Sequence, residues 1–159
     1  TKEWLKSILF GFKVLEVLGL PFPKDISSFT LAAGRGDETI LKNGCTLIDE
    51  SYNASTSSMI NAITNLNLFE GKKLAVIGEM KESLQEEHQK IITFLKDKDM
   101  DIILVGEEFT KFKGNYSWFK STEDLILNFD YKKQYDYILV KSSNSVNLNI
   151  FVEKIKKNG

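Results

Sequence analysis

The run Leu47-Ile48-Asp49-Glu50-Ser51-Tyr52-Asn53-Ala54-Ser55-Thr56-Ser57-Ser58-Met59 concentrates two carboxylates, a phenol ring, a carboxamide and several hydroxyls in one short stretch. It follows an apolar run and precedes Met59, Ile60, Ile63 and Leu66, which share one helical face. At such a strand end and helix start, free backbone N–H groups and the helix dipole favour an anion or a sugar hydroxyl. Capping by Ser55 or Thr56 is the simpler reading, and it accounts for one hydroxyl. It does not account for Asp-Glu followed by Tyr-Asn, so this segment is expected to face a ligand.

Arg35 lies in Ala32-Ala33-Gly34-Arg35-Gly36, whose small residues read as a hinge. Its planar fork of donors suits phosphate oxygens, and a solvated hinge charge is the alternative. His88 stands in Glu86-Glu87-His88-Gln89 at a helix start, where the local pattern alone reads as a surface position. Nothing pairs it with a nucleophile, so no catalytic base is assigned. Gly71-Lys72 is not a phosphate loop, because Leu66 occupies the first glycine position of GxxxxGK[ST] and Lys73 replaces the hydroxyl residue. One cysteine and one histidine exclude a disulfide framework and a Cys/His zinc site, and no metal site is expected. Cys45 reads as a small buried strand residue.

The elements that must position these residues follow from hydrophobic period. Trp4, Leu5, Ile8, Phe12 and Leu15 predict an amphipathic helix ended by Gly19 and Pro21, and residues 24–29 a second short helix. Residues 39–41 and 45–48 predict a hairpin turned by Lys42-Asn43-Gly44. Beyond them, strands over 74–78, 102–106 and 137–140 alternate with helices carrying Met59 to Leu66, Ile91 to Leu95, 123–129 and 148–156. A short helix near Phe109 and a short strand near Trp118 complete the pattern. Continuous Ile/Leu/Val runs between amphipathic helices predict an α/β fold, Rossmann-like and doubly wound, with a mostly parallel sheet covered on both faces and an N-terminal β-hairpin. Ligands of such sheets bind beyond the carboxyl ends of the strands, here residues 49–56, 78–83, 106–108 and 141–145.

At 159 residues the chain is expected to bury roughly 70% of its unfolded surface without disulfides or metal. A net charge of -1 leaves no basic footprint for nucleic acid. The stretch from Trp4 to Phe22 is interrupted by Lys6, Lys13 and Glu16, so neither a membrane span nor a signal peptide is expected. The start, Thr1-Lys2-Glu3-Trp4, reads as the middle of a longer protein, and the cytoplasm is the expected compartment.

Gly34-Arg35-Gly36, Leu47-Ile-Asp-Glu-Ser-Tyr-Asn-Ala, Ala75-Val-Ile-Gly-Glu-Met-Lys-Glu, His88 and Val140-Lys-Ser-Ser-Asn-Ser occur in the order found in the Mur ligase family, in its D-alanyl-D-alanine-adding branch. The resemblance covers most of the chain from Gly34 onward. It implies that residues 1–33 end a central ATP-binding domain, with the hinge, and that residues 34–159 form the C-terminal domain. It further implies an ATP-dependent ligase that phosphorylates the terminal carboxylate of UDP-N-acetylmuramoyl-tripeptide, whose acyl phosphate is attacked by the amine of D-alanyl-D-alanine. ATP and Mg would be held mainly by the central domain, so this piece alone is expected to be inactive, and the whole protein a monomer. By the same resemblance Arg35, Asp49, Glu50, Tyr52 and Asn53 face the nucleotide, with Asp49 or Glu50 on the ribose. His88, Lys141, Ser143 and Asn144 then lie on the D-alanyl-D-alanine side, Lys141 meeting a carboxylate of the dipeptide or capping its strand with a solvated charge.

Three departures from the family pattern stand out. Ser55-Thr56 replaces Asn-Pro, the Gly-Asp-Met-x-Glu-Leu-Gly segment reads Gly78-Glu79-Met80-Lys81-Glu82-Ser83-Leu84, and Lys-Gly-Ser reads Lys141-Ser142-Ser143. The alternatives are another Mur or folylpolyglutamate-type ligase, disfavoured by Tyr52-Asn53-Ala54, and a free-standing nucleotide-binding module without catalysis, disfavoured by the lack of GxGxxG.

Overall fold

A computed structural model describes residues 2–26 and 33–158. The chain forms two compact units, Thr1–Thr30 and Leu31–Gly159.

In the first unit, α1 (Lys2–Val17) carries apolar side chains around its surface, with Leu5, Leu9, Phe10 and Val17 all exposed. Gly19 ends it in the left-handed region, at φ 65°. Gly19 N–H bonds Glu16 O at 3.1 Å and Leu20 N–H bonds Leu15 O at 2.9 Å, the two reversed hydrogen bonds of a Schellman cap. Phe22 meets Phe12 edge to face at 5.5 Å. Half of the second helix expected over 24–29, residues 27–29, lies outside the described residues, and Lys24 to Ile26 are not helical.

The second unit is built on a six-stranded sheet of order β1-β2-β6-β3-β4-β5. Its strands are β1 (Asp37–Ile40), β2 (Thr46–Glu50), β3 (Lys73–Gly78), β4 (Asp101–Val105), β5 (Ser117–Phe119) and β6 (Tyr137–Lys141). Only the β1–β2 pair is antiparallel. Its turn uses Gly44 at φ 86°, with Gly44 N–H on Leu41 O at 3.0 Å, so the glycine alone supplies the left-handed residue and Asn43 accepts from Cys45 N–H.

The helices α2 (Thr56–Asn67) and α3 (Gln85–Leu95) cover one face, and α4 (Thr122–Asn128) and α5 (Leu148–Asn158) the other. Side chains alternate accordingly. Ile48, Ala75, Ile77, Leu104 and Leu139 pack under α2 and α3, while Leu47, Leu74, Val76, Val105 and Val140 pack under α4 and α5. Ser55 caps α2 in a reciprocal capping box with Ser58.

Two boundaries differ from the sequence expectation in a way that matters. Asp49 and Glu50 are the last residues of β2, and Lys141 the last of β6, rather than loop residues beyond the strands. Parallel pairing of Asp49 with Val140 and of Glu50 with Lys141 extends the ladder, because opposite charges meet across it.

Burial, with the negative charge of Asp136 as the lesser cause, pushes the Cys45 thiol from 9.0 up to about 11. The stability gained by keeping this thiol neutral is therefore complete below about 9 and is lost as pH rises toward about 11. Urea unfolding across that window should show a steeper alkaline loss for the native chain than for Cys45→Ala, and equal slopes would contradict the assignment.

Candidate functional site

The chain runs from β2 over α2 to β3, skips the place later filled by β6, and continues to β4 and β5 before returning through α4. The neighbours β3 and β6 thus send their following helices to opposite faces, α3 to one and α5 to the other. This is the switch point at which the carboxyl edge of an open sheet leaves a crevice. Gly78, Glu79, Lys141, Ser142 and Ser143 lie buried at the strand ends beside it, and the end of β2 adjoins them.

Glycines 34 and 36 lay Arg35 against the end of β2. Gly36 N–H bonds Asp49 O at 2.7 Å, Tyr52 N–H bonds Gly34 O at 3.1 Å, and Gly34 N–H bonds the Asp37 carboxylate at 3.1 Å. Gly34 has φ 76°, and a Cβ there would stand 3.0 Å from Tyr52 N, so no other residue fits without strain. The exposed Arg35 guanidinium lies 4.2 Å from the centre of the Tyr52 ring. Arg35 and Tyr52 are thus brought together across seventeen positions of sequence on the same edge as the two carboxylates.

The carboxylates part company there. Asp49 is only 6% exposed, and its Oδ1 accepts from Ser51 N–H at 3.0 Å. The Glu50 side chain is 25% exposed and its Oε2 lies 2.8 Å from Lys141 Nζ, which also donates to Asn53 O at 3.2 Å. Lys141 is itself 3% exposed. The free ammonium expected for a dipeptide carboxylate, and equally the solvated strand cap, give way to an internal ion pair, because the parallel register sets Lys141 directly beside Glu50. Removing one partner of a buried pair strands the other charge. Lys141→Met should therefore cost about 1–2 kcal/mol in urea unfolding, below the fully buried range because Glu50 reaches solvent. No measurable cost would show the pair to be incidental.

Asn53 is exposed, and its side-chain oxygen accepts from Ala54 N–H at 2.8 Å. Ser143 Oγ accepts from Lys81 N–H at 3.0 Å, and the exposed Asn144 begins the 3-10 turn beyond it. His88 is wholly buried, against the surface position that its neighbours suggest. Its Nε2 accepts from Met80 N–H at 2.9 Å, its Nδ1 faces Leu84 O at 3.2 Å, and its ring meets Phe109 edge to face at 5.1 Å. Both ring nitrogens are thus engaged within the fold. His88 holds the loop after β3 from inside the core, at Met80 and Leu84.

Sequence reasoning missed Glu79, whose carboxylate is 4% exposed at the end of β3. Its sequence signals were its place just after a buried strand and its position in the Gly78-Glu79-Met80 segment, where the family pattern also has a carboxylate. Gly71-Lys72 lies at the opposite end of the sheet, where Lys72 N–H bonds Asp136 at 2.7 Å. Among the described residues no group of three or more His, Cys, Asp or Glu could hold a metal ion, and no helix is long and apolar enough to cross a membrane.

No protein-family model matches the chain. It is 32% identical over 137 residues to the UDP-N-acetylmuramoyl-tripeptide–D-alanyl-D-alanine ligase of Buchnera aphidicola from Acyrthosiphon pisum, covering 80% of this chain and 30% of that protein. The ligase of the same name from the Baizongia pistaciae strain is 31% identical over 144 residues, covering 83% and 31%. The chain thus spans less than a third of the length of these curated relatives. The fold is similar to the MurF ligase of Thermotoga maritima, solved in complex with ADP, with TM-score 0.70, 28% identity and coverage of 91% of this chain and 36% of that one. A MurF structure from Acinetobacter baumannii shares the fold at TM-score 0.74 and 21% identity, over 91% and 35%.

Proposed function

The chain is homologous to Mur ligases of the MurF type, at moderate identity and with a domain-level match of structure, and on that premise we propose that it is the C-terminal domain of a ligase adding D-alanyl-D-alanine to UDP-N-acetylmuramoyl-tripeptide. Residues 34–159 make up that domain, and residues 1–33 belong to the hinge and the end of the ATP-binding domain before it. The observation that carries the reading is the Arg35 guanidinium held over Tyr52, beside the carboxylate end of β2.

The residues present fit one side of a nucleotide. Arg35 offers a fork of donors to phosphate oxygens, and Glu50, the more exposed carboxylate, is the acceptor for ribose hydroxyls. Lys141 holds Glu50 from below, and Asp49 braces the Ser51 turn that precedes Tyr52 and Asn53. ATP, when bound, supplies the phosphoryl group that activates the tripeptide's terminal carboxylate for attack by the dipeptide amine. Its triphosphate and Mg are assigned to the central domain. Domain closure would bring Arg35 and the Glu50 edge onto that nucleotide and exclude water before the acyl phosphate forms. The loops after β3 and β6, with Ser143 and Asn144, are assigned to the dipeptide side.

Phosphate release from ATP tests this reading. The complete protein should release phosphate only when both muropeptide and D-alanyl-D-alanine are supplied, and this 159-residue chain alone should release none. Release by the chain alone would overturn the domain assignment. Indifference of the complete protein to the dipeptide would overturn the substrate, and submicromolar ATP binding by the chain alone would favour a free-standing nucleotide module.

A further inference from the structure

Glu79 is a buried carboxylate that the nucleotide reading does not use. Its backbone N–H bonds Val105 O at 3.0 Å, and its carbonyl accepts from Ser143 N–H at 3.2 Å. Its side chain accepts from Glu108 N–H at 3.1 Å through Oε2, and Oε1 pairs with the half-exposed Lys81. Lys81 N–H in turn bonds Ser143 Oγ. One residue therefore joins the chain segments that leave β3, β4 and β6, the three strands at and beside the switch point.

A second observation shows that the fold reserves space for this carboxylate. Gly106 takes φ 119°, and a Cβ there would lie 2.5 Å from Glu79 Cδ. Burying a carboxylate costs stability that a well-packed apolar residue would not, so its placement beside the switch point serves geometry rather than core cohesion.

We infer that Glu79 is a positioning residue that clasps the loops after β3, β4 and β6 into one preformed wall of the dipeptide-facing crevice. The inference rests on the ligase reading for its substrate, but the clasp itself is measurable without it. In the complete protein, Glu79→Ala should speed amide exchange at Glu108 and Ser143 by about tenfold or more. The same variant should raise KM for D-alanyl-D-alanine about fivefold while KM for ATP stays within about twofold. Glu79→Gln keeps an oxygen acceptor for Glu108 N–H, so its exchange and its dipeptide KM should stay within about twofold of the native values.

Unchanged exchange in Glu79→Ala overturns the clasp, whether or not the protein proves to be a ligase. Equal rises in both KM values overturn the selective role. If Glu79→Ala does not fold, Glu79→Gln decides alone: retained protection with near-native dipeptide KM supports positioning. Retained protection with a large loss of dipeptide affinity makes Glu79 a direct charge partner of the substrate ammonium and overturns the inference.

Discussion

On the proposed function, Arg35→Ala should lower turnover of the complete protein by at least about tenfold, about 1.4 kcal/mol or more in the barrier, with little change in melting temperature. The expectation follows from two features of the structure. Arg35 is exposed, so it adds little to the core. It is nevertheless held, because Gly34 and Gly36 pin its backbone to β2 and Tyr52 supports its guanidinium at 4.2 Å. A donor fork already held in place would lose little entropy on meeting phosphate, an advantage that the proposed domain closure would realise. Arg35→Lys should not fully restore turnover, since a point charge cannot reproduce the fork. Tyr52→Leu should give a smaller loss of the same kind by freeing the guanidinium. Steady-state kinetics together with thermal unfolding separate these outcomes. Unchanged turnover in Arg35→Ala would leave Arg35 a solvated hinge charge.

Gly78→Ala should destabilise the Leu31–Gly159 unit by about 3 kcal/mol, at the upper end of overpacking costs. A Cβ at Gly78 would stand 2.4 Å from Ser142 Cβ, 2.9 Å from Leu148 Cδ1 and 3.2 Å from Val146 Cγ1. Ser142 Cβ sits one bond from the backbone and cannot swing aside, so β3 and β6 must separate or the start of α5 must shift. Either movement spreads the crevice at the switch point. Urea unfolding should show the loss in midpoint with an unchanged slope. A cost below about 1 kcal/mol would mean that the strands part easily, and that the crevice is not the rigid wall described above.

The strands were legible in the sequence because a parallel sheet buried on both faces needs continuous apolar runs, and Leu74 to Ile77 and Ile102 to Val105 are such runs. The order of those strands was not, since no local pattern records that β6 inserts between β2 and β3. Everything that depends on that insertion was hidden with it. Lys141 and Glu50, ninety-one positions apart, were expected on different sides of the site, dipeptide and nucleotide, until the register placed them side by side. His88 follows two glutamates at a helix start and so reads as solvated, yet Phe109, from beyond β4, closes over it. Composition alone marks residues 49–56 as a polar strand-end segment expected to face a ligand, whereas the division between a braced Asp49 and a more exposed Glu50 required the alternation of the β2 side chains to be seen.

The central claim is that this chain completes a ligase working through an acyl phosphate and taking D-alanyl-D-alanine whole. Its most direct test uses the complete protein with UDP-N-acetylmuramoyl-tripeptide labelled with heavy oxygen in the terminal carboxylate, unlabelled ATP and D-alanyl-D-alanine. Transfer through an acyl phosphate moves one carboxylate oxygen to phosphate, so mass spectrometry should find labelled inorganic phosphate equal in amount to the UDP-linked pentapeptide formed. Unlabelled phosphate, or a product extended by a single amino acid, would contradict the account.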